Sequence, residues 1–86
     1  MSTYQALLRP RARKEFLDLP ADIARKVHDA IQSLEEDPRP RQSIKLSGGE
    51  GYRLRVGDFR ILYEIDDPGN TITVYRIKHR REIASP

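Results

Sequence analysis

The sequence contains no cysteine and no tryptophan. Without cysteine there is no disulfide staple and no thiolate zinc site, which suits a chain kept in a reducing cytoplasm. Histidine is nearly as scarce: His28 and His79 stand far apart with no clustered carboxylates between them, so no metal site is expected. No cofactor is expected either, because Gly48-Gly49 leads into a strand-like run, not a helix, and reads as a turn. Ser43, Ser47 and His79 do not define a nucleophilic triad. No run of about 18 apolar residues exists, and the opening Met1-Ser2-Thr3-Tyr4-Gln5 lacks a signal peptide's basic start and apolar centre. A membrane partner is therefore not expected, and the address expected is cytoplasmic.

What is present is short and charged. The 86 residues are enough for one domain, 1–86, around one small core. The net charge of +3 is unevenly placed. Residues 1–40 hold seven Lys/Arg against seven Asp/Glu, whereas residues 41–86 hold nine against six. The excess lies where strands are expected, so the field should be directional and favour an anionic partner.

The stretch from Gly51 to Ile65 organises that half. Tyr52, Leu54 and Val56 alternate with Arg53 and Arg55, and Phe59, Ile61, Tyr63 and Ile65 alternate with Arg60, Leu62 and Glu64. Gly57-Asp58 between them is a Gly-first pair suited to a two-residue type II′ turn. Counting outward sets Val56 opposite Phe59, Arg55 opposite Arg60, Leu54 opposite Ile61 and Arg53 opposite Leu62. One face is then apolar and the other carries three guanidinium groups. Like charges opposed across a ladder destabilise a sheet by up to about 1 kcal/mol. Planar forks on a rigid sheet suit phosphate oxygens; the plain alternative is a solvated basic face.

Elsewhere, Tyr4 to Arg9 alternates as a first strand, and Pro10 starts a short helix over Arg11 to Leu19. Ala21 to Glu36 is the strongest helix, its stripe being Ile23, Val27, Ala30, Ile31 and Leu34, with His28 on the polar side. Pro38 to Ser43 reads as an extended connector, after which Leu46 drops toward the core. Asp66-Asp67-Pro68-Gly69-Asn70 is a turn, and Thr71 to Lys78 is a strand apolar on both faces, hence central. The expected fold is α+β: an N-terminal strand, a two-helix hairpin, then a three-stranded antiparallel meander, with the helices on one sheet face and the arginines on the other.

Tyr4, Pro10, Ala12, Lys14, Phe16, Leu19 and Pro20 form a spaced pattern. Together with Pro38, Lys45-Leu46, the run from Tyr52 to Tyr63 and the closing His79-Arg80-Arg81-Glu82-Ile83, it resembles the RelE/ParE superfamily of bacterial toxins. The resemblance covers nearly the whole chain and implies a RelE-like fold and a toxin of a type II toxin–antitoxin pair. RelE-like members cleave mRNA in the ribosomal A site; ParE-like members poison DNA gyrase. The implied catalytic positions are Arg53, Arg55, Arg60 and Arg80, with Lys45, Lys78 and Arg81 as further RNA contacts. The implied partners are the ribosome, its mRNA and an acidic, partly disordered antitoxin. The family's terminal tyrosine, which stacks on a base, falls here on Ala84. An inactive paralogue that only sequesters antitoxin is the third reading.

RNA carries its own nucleophile, the 2′-OH, so cutting it requires in-line alignment, neutralisation of phosphorane charge and proton transfer. The arginines suit the first two tasks but stay protonated and cannot act as a base. His79 is the best proton-transfer candidate by its ordinary titration range, and its alternative is a structural histidine at a strand end. Glu64 and Glu82 are weaker candidates, and Tyr63 is assigned to the core.

Overall fold

The computed structural model describes residues 3–49 and 51–81. Glu82, Ile83 and Ala84, which carry the last part of the resemblance, lie outside the described residues. The elements run β1 (Gln5–Leu8), α1 (Pro10–Leu17), α2 (Ala21–Glu36), β2 (Ile44–Lys45), β3 (Tyr52–Val56), β4 (Phe59–Asp66) and β5 (Thr71–His79). One five-stranded sheet has the order β1-β5-β4-β3-β2. Its β3–β4–β5 meander is antiparallel, β2 adds antiparallel to β3, and β1 lies parallel to β5. The α+β expectation holds, with β2 as an addition: the two residues just past the expected connector pair with Arg53 and Tyr52.

Each element has a local cause. Pro10 occupies the first turn of α1, where its missing N–H is not needed. Helix α2 buries Val27, Ile31 and Leu34, one stripe at helical spacing. With Ala12 of α1, that stripe closes over Leu54, Ile61, Tyr63, Ile72, Val74 and Ile77 of the sheet to form the core. Leu46, expected there, is only half-buried and stays outside it. Tyr63 is fully buried, and its hydroxyl donates to the Pro38 carbonyl at 2.8 Å. Gly51 is required by close approach: at φ 99° it lies against the Tyr63 backbone, where a Cβ would collide with the carbonyl oxygen.

Two sheet edges are closed by carboxylates instead of strands. Glu35 of α2 accepts from the Ala6 N–H at 2.8 Å. On the far side of the β1–β5 pairing, Glu15 of α1 accepts from the Ile77 N–H at 2.8 Å. Strand β5 also carries a bulge. Leu62 pairs with Arg76 but Tyr63 pairs with Val74, leaving Tyr75 as the extra residue. The bulge reverses the side-chain parity of β5, which is why Ile72 and Val74 share the core with Ile77.

Candidate nucleic-acid interface

The hairpin pairs as the sequence predicts, with Arg55 opposite Arg60, Arg53 opposite Leu62 and Val56 opposite Phe59. Gly57 alone of the two turn residues takes a positive φ, 58°, the geometry of a type II′ turn. Pairing with β5 then extends the row. Lys78 lies opposite Arg60, so Arg55, Arg60 and Lys78 stand in line across three neighbouring strands. Arg53 is one same-face step from Arg55 along β3.

Arg80 reaches the cluster through the backbone. Its N–H donates to the Asp58 carbonyl at 2.7 Å, pinning the end of β5 against the hairpin turn. Its guanidinium lies 3.8 Å from the Asp58 carboxylate, a loose pair in which both side chains are 63% exposed. The Arg60 guanidinium donates to the Phe59 carbonyl at 3.2 Å. Among the described residues, no carboxylate forms an ion pair with Arg53, Arg55 or Arg60. Desolvation, followed by repulsion from Arg55, Arg53 and Arg80, holds the Arg60 guanidinium below its usual affinity for a proton, with Asp58 opposing. The four arginines therefore share one field. Arg60 nevertheless remains a cation at any working pH.

The remaining candidate residues are dispersed. His79 lies opposite Phe59, on the core-side face beside Ile77 and away from the Arg55–Arg60–Lys78 row. Its ring meets Phe59 edge-on at 5.1 Å between centroids, and its Nδ1 accepts from the Arg81 N–H at 3.2 Å. The position is that of a packing and capping histidine, and it gives no support to proton transfer beside the arginines. Arg81 is exposed, just past the strand end. Lys45 is exposed on β2 opposite Tyr52, separate from the row, and borders a cavity with Arg39, Glu64 and Asp66. His28 is exposed, as expected. Among the described residues, no group of three or more His, Asp or Glu is placed to hold a metal ion, and no helix is long and apolar enough to cross a membrane.

Two polar contacts escaped sequence reasoning. Arg39, in the α2–β2 connector, donates to Asp67 at 2.8 and 3.3 Å and to the Tyr52 hydroxyl at 3.0 Å, while the Tyr4 hydroxyl donates to the same carboxylate at 2.7 Å. The Asp67 carboxyl is held below its ordinary range, first by Arg39 and then by Tyr4. Glu15 grips Arg76 through two nitrogens, at 2.9 and 2.8 Å. Each contact joins residues far apart in sequence, and no local pattern announces it.

A sequence profile of the ParE toxin of type II toxin–antitoxin systems matches residues 6–84. The chain is 32% identical over 74 residues to the toxin RelG of Mycobacterium tuberculosis, covering 84% of this chain and 85% of that protein. Among solved structures, it is similar to the archaeal RelE–RelB complex of Pyrococcus horikoshii, with TM-score 0.81 and 30% identity over 91% of this chain and 96% of that one. The Mycobacterium tuberculosis RelBE2 toxin–antitoxin complex gives TM-score 0.80 and 28% identity, over 91% and 99%. The fold thus recurs with matching sequence over nearly the whole chain, and the protein belongs to the RelE/ParE superfamily of type II toxins.

Proposed function

We propose that this protein is the toxin of a type II pair that acts in the cytoplasm as a ribosome-dependent mRNA endoribonuclease. The observation that carries the reading is the cluster of Arg53, Arg55, Arg60, Lys78 and Arg80 on one rigid hairpin and its neighbour strand, left largely without carboxylates of its own. In the reaction, the ribose 2′-oxygen attacks the adjacent phosphorus and the 5′-oxygen of the next nucleotide departs, leaving a 2′,3′-cyclic phosphate. The nucleophile belongs to the substrate, so the chemistry needs no metal. Arg55 and Arg60 are direct cross-strand partners and bracket the phosphate whose negative charge grows in the transition state. Arg53 and Arg80 hold the flanking backbone in line, and Lys78 adds a point charge to the row. No group in the cluster can remove a proton, so the 2′-hydroxyl gives its proton to water and the departing 5′-oxygen takes one from water, while the A site holds the backbone in line.

Inducing the chain and mapping RNA ends by primer extension tests this. Cuts should fall between codon positions on translated messages only. Blocked plasmid supercoiling with translation intact would instead favour the gyrase reading, which the ParE family match and Ala84 in place of the terminal tyrosine support. The partner proposed in either case is an acidic, partly disordered antitoxin, since similar chains were solved in complexes with RelB. Co-expression with the neighbouring gene product should raise the toxin's melting temperature; equal stability, free and mixed, would remove that partner.

A further inference from the structure

The cationic row must be held together against itself. Its outer member, Lys78, sits on β5 beyond the reach of β1, which pairs only with Thr71 to Val74. The last main-chain bond on that edge is from the Arg9 N–H to the Val74 carbonyl at 2.9 Å, after which Pro10 turns the chain into α1. Among the described residues, the segment carrying Lys78 and Arg80 therefore lacks a neighbouring strand on one side while Arg60 repels it from the other.

Glu15 stands on that open edge. One carboxylate oxygen accepts from the Ile77 N–H at 2.8 Å, the position a strand carbonyl would occupy. The other oxygen takes both Arg76 Nε at 2.9 Å and a terminal nitrogen at 2.8 Å, a charge-assisted contact. The side chains are only 21% and 17% exposed, so this pair is better shielded than a surface ion pair. Ile77 is the residue directly before Lys78. Among the described residues, Glu15 forms ion pairs with Arg11 and Arg76 and with none of the hairpin arginines.

We infer that Glu15 is a positioning residue: through the Ile77 N–H and Arg76 it fixes the end of β5 so that Lys78 and Arg80 stay in register with Arg60 and Arg55. This rests on the nuclease reading only for its catalytic consequence. A misplacement of about 1 Å in an aligning group can cost about a hundredfold in rate. Glu15→Ala removes both functions of the carboxylate, whereas Glu15→Gln keeps one oxygen able to accept from Ile77 and loses the charge.

The test compares the full-length wild type, Glu15→Ala and Glu15→Gln well below their melting temperatures, by amide exchange and by single-turnover cleavage of a ribosome-bound message. In folded Glu15→Ala, exchange at Ile77 should quicken by about tenfold or more and the Lys78 and Arg80 amide resonances should move. Cleavage at saturating substrate should fall about a hundredfold, with Glu15→Gln between. Unchanged Ile77 exchange and unmoved Lys78 and Arg80 resonances overturn the inference. So does wild-type cleavage by a folded variant whose resonances have moved. Should Glu15→Ala not fold, Glu15→Gln is read by the same criteria. A wild type that never cleaves RNA sinks the nuclease reading alone, and the resonances still decide whether Glu15 positions the strand.

Discussion

Arg39 and Arg60 carry the same side chain on the same small sheet, and the fold surrounds them in opposite ways. Arg39 has a carboxylate gripping two of its nitrogens, a tyrosine hydroxyl on a third and the Tyr52 ring beneath it at 5.5 Å. Those partners, Asp67 first, raise its proton affinity. Arg60 has two backbone carbonyls and a ring of other cations, and its proton affinity is lowered. This chain can neutralise an arginine where a structural tie is wanted. Leaving the other cluster with Asp58 alone, loosely paired to Arg80, opposes stability, and is intelligible when the missing negative charge arrives with a ligand.

The largest test of that contrast is Arg60→Ala. If the cluster awaits a phosphate, cleavage should fall by about 10²–10³-fold, as for loss of a group that stabilises transition-state charge. Thermal melting should show unchanged or slightly raised stability, by up to about 1 kcal/mol, because like-charge repulsion across the ladder is relieved. Lost activity with lost stability would instead class Arg60 with Arg39.

Salt sharpens the contrast further. Each phosphate contact to a single strand steepens the dependence of log affinity on log salt by about 0.7. Arg55→Ala should lower the RNA-binding slope by about that amount, and Arg39→Ala should leave it unchanged; gel-shift titrations at several ionic strengths measure both.

The smallest effect concerns the third kind of site, the shielded pair of Glu15 with Arg76. Burial alone would raise the Glu15 carboxyl, but the hydrogen bonds from Arg76 and the Ile77 N–H outweigh it and hold the group below its ordinary value of 4.5. A carboxyl with a depressed folded value stabilises fully above the unfolded value and loses that contribution as pH falls through the folded one. The stability gap between wild type and Glu15→Gln should therefore be present at pH 7 and close below pH 4.5, as followed by chemical denaturation.

The hairpin was legible because Gly57-Asp58 fixes the pairing and strict alternation fixes the faces, so the register from Tyr52 to Tyr63 follows by counting. Helix α2 was legible from its apolar stripe, to the residue at both ends. The face of His79 was not. Alternation continued from Ile72 and Val74 puts Lys78 and Arg80 on the core side and His79 with the arginines, and the bulge at Tyr75 exchanges them. The clamps at Arg39 and Glu15 were also hidden, because they join residues 13 to 63 positions apart without altering local periodicity. β2 was missed for its two-residue length, too short to show a period.

That one supernumerary residue in β5 makes the strand's response to a lost residue depend sharply on where the loss falls. Deleting Tyr75 would restore even pleating without exchanging any face, because Arg76 would then follow Val74 and leave Ile77 inward and Lys78 outward. Loss of Ile77, beyond the bulge, should consequently silence the protein more thoroughly than loss of Tyr75, since it shifts the lysine against its partner on the neighbouring strand.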